Sequence, residues 1–156
     1  MIVIGVGNAY RGDDGAGLAL ARLLRERGAV EVAQSEGEPI ALLDTWAHAR
    51  AVVLIDAVHS GAHPGTIHRY DASTEALPST IRGSTSTHAV GLADTIELAR
   101  TLGRLPERVI VYAIEGENFH AGEELSAAVA GALESAALRI TAETHQLAGA
   151  AERAER

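Results

Sequence analysis

Near its start the sequence reads Ile2-Val3-Ile4-Gly5-Val6-Gly7-Asn8-Ala9-Tyr10-Arg11-Gly12-Asp13-Asp14-Gly15-Ala16-Gly17. The run of Ile and Val has the length of a strand, and its continuous apolar character is typical of a parallel strand covered on both faces. The glycines that follow allow a sharp chain reversal before a helical pattern begins. Asp13 and Asp14 therefore lie where a strand ends, which is the usual place for chemistry in an open α/β sheet.

The helical pattern after this stretch contains Leu20, Leu23 and Leu24 at helical spacing. We predict a helix that begins near Asp13 or Asp14 and ends at Gly28. Either aspartate could serve as the N-cap, and both favour a helix N-terminus through its dipole.

Four further segments read as strands. Residues 51–57 and 108–114 are the strong ones, because each is almost entirely apolar, whereas residues 30–33 and 66–70 are shorter. Segments 66–70 alternate partly in polarity, which favours an edge position. Helical patterns separate the strands, so the sequence predicts a single-domain α/β three-layer sandwich with about five strands in a mostly parallel, twisted sheet between helices.

The domain is predicted to cover residues 1–142. Its last helix has apolar residues at helical spacing as far as Ile140. From residue 143 to residue 156 that pattern is lost, and we predict a polar tail that is frayed or disordered.

Composition excludes several classes of function. The 156 residues carry a net charge of −8, which argues against nucleic acid or an anionic membrane as partner. There is no cysteine, so a thiolate nucleophile is excluded and any metal must be held by His, Asp, Glu or backbone oxygen. The sequence has no apolar run of about 18 residues and no signal-peptide pattern, which favours a cytoplasmic location, and we expect a monomer.

The predicted topology brings seven polar residues to the carboxyl edge of the sheet. They are Asp13, Asp14, Glu36, Glu38, Asp56, His88 and Glu115. Asp14, Asp56 and His88 form the sharpest set, because two carboxylates and one imidazole suit a divalent metal such as nickel or zinc and leave coordination positions open. Without a metal, two neighbouring carboxylates would repel each other and the pKa of one would rise.

Simpler interpretations compete with this one. Asp14 could be only an N-cap, Asp56 could accept an internal hydrogen bond, and a lone histidine such as His88 is more often structural. The other six histidines receive that structural interpretation here, although His59 and His63 lie near the same edge and stay weak candidates.

Two nucleotide or hydrolase motifs are absent. Gly5 and Gly7 resemble the start of a dinucleotide-binding fingerprint, but Tyr10 stands where its third glycine should be, and the acidic pair would repel a pyrophosphate. A serine hydrolase is disfavoured because the sequence has no G-x-S-x-G elbow.

Three blocks, in register over roughly residues 1–140, resemble the family of hydrogenase maturation proteases, which trim the large subunit of [NiFe] hydrogenases. The blocks are GVGN followed by GDDGAG (residues 5–8 and 12–17), LIDAV with PGT downstream (residues 54–58 and 64–66), and STH with GL (residues 86–88 and 91–92). Each block is weak alone, and the three together are specific.

The resemblance implies a five-stranded α/β sandwich and a hydrolase, a protease with aspartyl-type endopeptidase activity. Its metal-binding trio maps onto Asp14, Asp56 and His88, which would also carry catalysis. The metal would be nickel already installed in the precursor of the large subunit, the implied partner, and other divalent ions such as zinc or cadmium could occupy the site. The enzyme would then remove the precursor's C-terminal extension, and Glu36, which stands where the family often carries an aspartate, could assist as base.

Two other functions use the same residues. The first is a nickel-sensing binding module or assembly chaperone that does not cleave its partner. The second is a generic metal-dependent hydrolase with a permanent ion, which would need a further donor from Glu36, Glu38 or Glu115.

Overall fold

A computed structural model of the chain describes residues 1–28, 30–82 and 91–156. The predicted ligand His88 lies outside these residues. The elements, in chain order, are β1 (Ile2–Val6), a 3₁₀ turn (Gly12–Gly15), α1 (Ala16–Glu26), β2 (Glu31–Ser35), α2 (Pro39–Thr45), β3 (Ala51–Val58), β4 (Ile67–Asp71), α3 (Ser79–Arg82), α4 (Leu92–Thr101), β5 (Arg108–Glu115) and α5 (Ala127–Ala154).

The five strands form one sheet in the order β2-β1-β3-β5-β4. The first four of these run parallel, and β4 pairs antiparallel with β5 at one edge. Strands β1, β3 and β5 occupy the three central positions, as their apolar sequences predict for strands covered on both faces. The predicted single-domain, mostly parallel α/β architecture is confirmed.

Each face of the sheet carries its own apolar core. One core includes Ile4 and Leu54 of the sheet together with Trp46 and Ile96, and it lies on the side of α2 and α4. The other core includes Val53 together with Leu20 of α1 and Ile140 of α5. This alternation along each strand defines a three-layer sandwich.

Helix α1 lies unusually close to the sheet at its first turn. A Cβ atom on Gly17 would come within 2.5 Å of the carbonyl oxygens of both Val6 and Ile55, so only glycine allows this approach. The close packing sets the start of α1 directly beside the carboxyl ends of β1 and β3.

The predicted start of the first helix is wrong by two or three residues. Asp13 and Asp14 lie in the 3₁₀ turn, α1 begins at Ala16, and no side chain caps either element. The reason is that both carboxylates accept hydrogen bonds from other segments, Asp14 from Asn8 and Asp13 from the chain beyond β5.

The prediction of a frayed tail from residue 143 is also wrong. Helix α5 continues without interruption to Ala154, and Glu143 and Leu147 are buried. The Glu143 carboxylate accepts hydrogen bonds from Arg69 Nε at 2.6 Å and from the Tyr112 hydroxyl at 2.9 Å, which makes its burial favourable. Within the residues that the structure describes, no helix is long and apolar enough to cross a membrane.

Candidate active site

Two acidic side chains meet at the carboxyl edge of the sheet. Asp14 follows β1 in the 3₁₀ turn and is only 6% exposed. Asp56 lies in β3, two residues before the strand ends at Val58, and it is partly exposed. The prediction that the parallel strands bring these two residues together is supported by the electrostatic effect of the Asp14 charge on Asp56.

That effect appears in the acidity of Asp56. Removal of its carboxylate from water, reinforced by the negative charge of Asp14, raises the pKa of Asp56 well above its usual range. The backbone N–H of Ala57, which donates to Asp56 Oδ1 at 2.8 Å, compensates only in part. Asp14 Oδ2 accepts a hydrogen bond from the backbone N–H of Asn8 at 3.1 Å. The site therefore concentrates negative charge in poorly hydrated surroundings, which suits a cation.

Two carboxylates of this kind are compatible with a divalent metal. Asp14 and Asp56 offer carboxylate oxygens, and their mutual repulsion is what a bound cation would relieve. In the part of the chain that the structure describes, no group of three His, Asp or Glu side chains forms a metal site, and the third predicted ligand, His88, falls outside that part.

Asp13, the immediate neighbour of Asp14, is used differently. Its side chain is fully buried and accepts hydrogen bonds from the backbone N–H groups of Glu117 (2.8 Å), Asn118 (2.9 Å) and Ser126 (2.7 Å). Burial alone would raise the pKa of Asp13, but the three N–H donors outweigh it and lower that pKa. Asp13 thus holds the segment between β5 and α5 rather than capping α1.

Glu115, at the end of β5, is a second buried carboxylate that accepts several hydrogen bonds. Its carboxylate is 1% exposed and accepts hydrogen bonds from the Ser60 hydroxyl at 2.8 Å and from the backbone N–H groups of Ser60 and Gly61 at 2.7 and 3.0 Å. His68 Nε2 lies 3.2 Å from Glu115 Oε2. Burial opposes ionisation, yet the Ser60, His68 and Gly61 contacts lower the pKa of Glu115. With its oxygens engaged, Glu115 fixes the connection after β3.

The other acidic candidates lie beside β2. Glu38 caps α2, because its carboxylate accepts hydrogen bonds from the N–H groups of Ile40 and Ala41. Glu36 is exposed in the connection between β2 and α2, and β1 separates its strand from β3.

The histidines differ in whether they contact a carboxylate, and the sequence alone did not predict which of them does. His68, read as structural, contacts a buried carboxylate, and it does so because β4 turns back antiparallel beside β5. His59 packs edge-on against Phe119 with ring centroids 5.8 Å apart, and His63 Nδ1 lies 3.3 Å from the carbonyl oxygen of Pro64. Neither His59 nor His63 forms part of an acidic cluster in the described residues.

The fold and the site define a single-domain, mostly parallel α/β protein with a paired-carboxylate site at its sheet edge. The family model of the hydrogenase maturation protease HycI matches residues 18–143, which is most of the chain, and this protein belongs to that family. The match begins after Asp14, so it does not bear on the role of Asp14.

Individual relatives agree with the family match. The chain is 25% identical over 147 residues to the hydrogenase 2 maturation protease of Escherichia coli, covering 91% of this chain and 88% of that protein. It is 28% identical to the hydrogenase expression/formation protein HupD of Rhodobacter capsulatus, covering 87% and 67%.

Solved structures show the same fold. The hydrogenase maturating endopeptidase HybD from Escherichia coli superposes with a TM-score of 0.77 at 24% identity, covering 93% of this chain and 91% of that one. A [NiFe] hydrogenase maturation protease HybD from Thermococcus kodakarensis gives a TM-score of 0.68 at 26% identity, covering 92% and 97%. The protein is accordingly a hydrolase, an endopeptidase that acts in hydrogenase maturation.

Proposed function

We propose that this endopeptidase removes the C-terminal extension of the nickel-loaded precursor of a [NiFe] hydrogenase large subunit. The nickel belongs to the substrate, and Asp14, Asp56 and His88 bind it when the precursor docks at the carboxyl edge of the sheet. The observation that carries the proposal is the Asp14–Asp56 pair, placed after β1 and near the end of β3, in which burial and the charge of Asp14 together raise the pKa of Asp56.

The two carboxylates first distinguish a precursor that carries nickel from one that does not. Asp56 lies near the like charge of Asp14, so a precursor without nickel meets a negative site that does not favour its binding. A precursor with nickel supplies the compensating charge, and binding energy then depends on the metal. This dependence restricts a protease to one maturation state of its substrate.

The same contact supports hydrolysis. A divalent ion held beside the scissile bond supplies Lewis-acid character to the peptide carbonyl. The chain's own acids orient the precursor through that ion, and the raised pKa of Asp56 is of the kind found at functional sites. No cysteine is present to act as nucleophile, and water is the attacking group in this proposal.

The proposal is tested by incubating the purified protein with the precursor in nickel-loaded and nickel-free forms and following the precursor's mass. We expect loss of a C-terminal peptide only from the nickel-loaded form, and no loss with Asp56→Ala or His88→Ala. Stable complex formation with unchanged mass would instead identify a nickel-sensing module that does not cleave. Cleavage of the nickel-free precursor at the same rate would refute the metal-reading role.

A further inference from the structure

The turn that carries Asp14 is joined to the segment between β5 and α5 by an exchange of hydrogen bonds. In one direction, the Asp13 carboxylate accepts from Glu117, Asn118 and Ser126, which lie near the two ends of that segment. We call residues 116–126 the β5–α5 segment. One buried side chain thereby fixes both ends of an eleven-residue stretch.

In the other direction, backbone groups of the β5–α5 segment hold the turn. The N–H of Asp13 donates to the carbonyl of Asn118 and the N–H of Gly12 donates to the carbonyl of Gly122, both at 2.8 Å. The N–H of Gly122 returns a bond to the carbonyl of Tyr10 at 2.9 Å. The position of Asp14 therefore depends on a segment more than 100 residues away in sequence.

The contact between the two segments leaves little room for adjustment. A Cβ atom on Gly12, whose φ is +54°, would lie 2.4 Å from the carbonyl oxygen of Asn118. A Cβ atom on Gly116 would lie 2.5 Å from the ring of Phe119 and 3.0 Å from the Cβ of Asp13. The Phe119 ring and the Asp13 side chain therefore both lie close to Gly116.

We propose that Asp13 is a positioning residue: by holding the β5–α5 segment against the Gly12–Gly15 turn, its carboxylate keeps Asp14 facing Asp56. This inference rests on the proposed function, because it assumes that Asp14 and Asp56 bind the metal together. Partners that orient metal ligands in this way typically change metal affinity by about 10- to 100-fold when they are removed.

The test is the affinity of the purified full chain for Ni²⁺ alone, measured by competition with a chromophoric chelator well below the melting temperature. We expect Asp13→Asn to weaken Ni²⁺ binding by about 10- to 100-fold, since its amide group would face a backbone N–H that now has no acceptor. Asp71→Asn is the matched control, because Asp71 also accepts a backbone N–H, from Ser73 at 3.0 Å, but lies at the end of β4. It should leave the affinity unchanged.

A second variant guards against misfolding of the first. Phe119→Ala keeps the Asp13 carboxylate and removes the ring that packs beside Gly116 in the β5–α5 segment, so it should weaken Ni²⁺ binding in the same direction by a smaller factor. A melting curve for each variant establishes that the protein is fully folded at the temperature of the titration. If Asp13 has only a structural role, the folded Asp13→Asn variant should bind Ni²⁺ as tightly as the wild type.

A third variant, Asp14→Asn, distinguishes a failure of the positioning role of Asp13 from a failure of the proposed metal site. If Asp14→Asn weakens Ni²⁺ binding while Asp13→Asn and Phe119→Ala do not, the positioning role is overturned and the proposed function stands. If Asp14→Asn binds Ni²⁺ as tightly as the wild type, the metal-reading site itself is overturned.

Discussion

Two kinds of carboxylate occur at the same edge of this sheet, and they differ in what surrounds them. Asp13 and Glu115 are almost fully buried, each accepts at least three hydrogen bonds, and the pKa of each is lowered. Asp56 is removed from water and lies near the charge of Asp14; among the described residues the backbone N–H of Ala57 donates to it, and its pKa is raised. Asp13 and Asp14 are adjacent in sequence, so residue type and position do not distinguish the two kinds.

The difference teaches which acids hold the structure and which are available for chemistry. A carboxylate surrounded by N–H donors is stabilised as an anion and has little capacity left for a ligand. A carboxylate opposed by another carboxylate is destabilised as an anion and gains from any cation. Stability and function should therefore respond in opposite ways when the two kinds are changed.

The largest effect is expected at Asp56. Asp56→Asn keeps the shape but removes the charge, and it should lower the rate of precursor cleavage by about 10²- to 10⁴-fold, the range for a group that acts in the reaction. The rate is followed by mass spectrometry of the precursor, with Asp71→Asn as the matched control. Cleavage within a few-fold of the wild-type rate would remove Asp56 from the site.

Glu115→Gln should act on stability instead. The amide cannot accept from all of the donors that now meet the carboxylate, so we expect the free energy of unfolding to fall by about 2 kcal/mol. Urea denaturation measures this value. A loss no larger than that of Asp71→Asn would show that the Ser60 and Gly61 contacts contribute little.

The pH dependence of stability should separate the two kinds next. Because folding raises the pKa of Asp56, the folded state holds that proton more tightly, and its stabilising effect is lost as the pH rises from about 3.9 through the raised pKa. At neutral pH, Asp56→Asn should therefore be more stable than the wild type. Denaturation curves at several pH values test this, and the difference should vanish below about pH 4.

For Asp13 and Glu115 we expect the opposite dependence of stability on pH in the acidic range. Their lowered pKa values mean that their stabilising effect is present above the ordinary carboxyl range and is lost as the pH falls through the folded-state values. If Glu115→Gln lost stability on acidification as steeply as the wild type, the lowered pKa of Glu115 would be contradicted.

The smallest effect is expected at Glu36. It is exposed and follows an outer strand, so Glu36→Gln should change the cleavage rate by less than about threefold, far below the 10²- to 10⁴-fold of a general base. The same mass-spectrometric assay decides this. A loss of about 100-fold would make Glu36 a base and add a third kind of carboxylate to the comparison.

The sequence predicted the elements whose surroundings are simple. Continuous apolar runs identified β1, β3 and β5 because a central parallel strand meets apolar side chains on both faces. The meeting of Asp14 and Asp56 followed, because parallel strands end at one edge. The end of α5 could not be predicted in the same way, since Glu143 reads as a surface residue until Arg69 and Tyr112 are known to reach it.

The different roles of Asp13 and Asp14 could not be predicted from the sequence either. Their different roles depend on hydrogen bonds from residues 117–126, and local spacing contains no information about such distant donors. The same holds for Glu115, whose donors come from the connection after β3 and from an antiparallel strand. Buried polar contacts of long sequence separation are what sequence patterns leave out.

Helix α5 has a practical consequence for work with this protein. Its 28 residues span about 42 Å, and Glu155 just beyond it pairs with Arg50, directly before β3 begins. The helix therefore carries the chain to the amino edge of the sheet, opposite Asp14 and Asp56. A fluorescent fusion or a resin linkage attached after this helix would leave the precursor a clear approach.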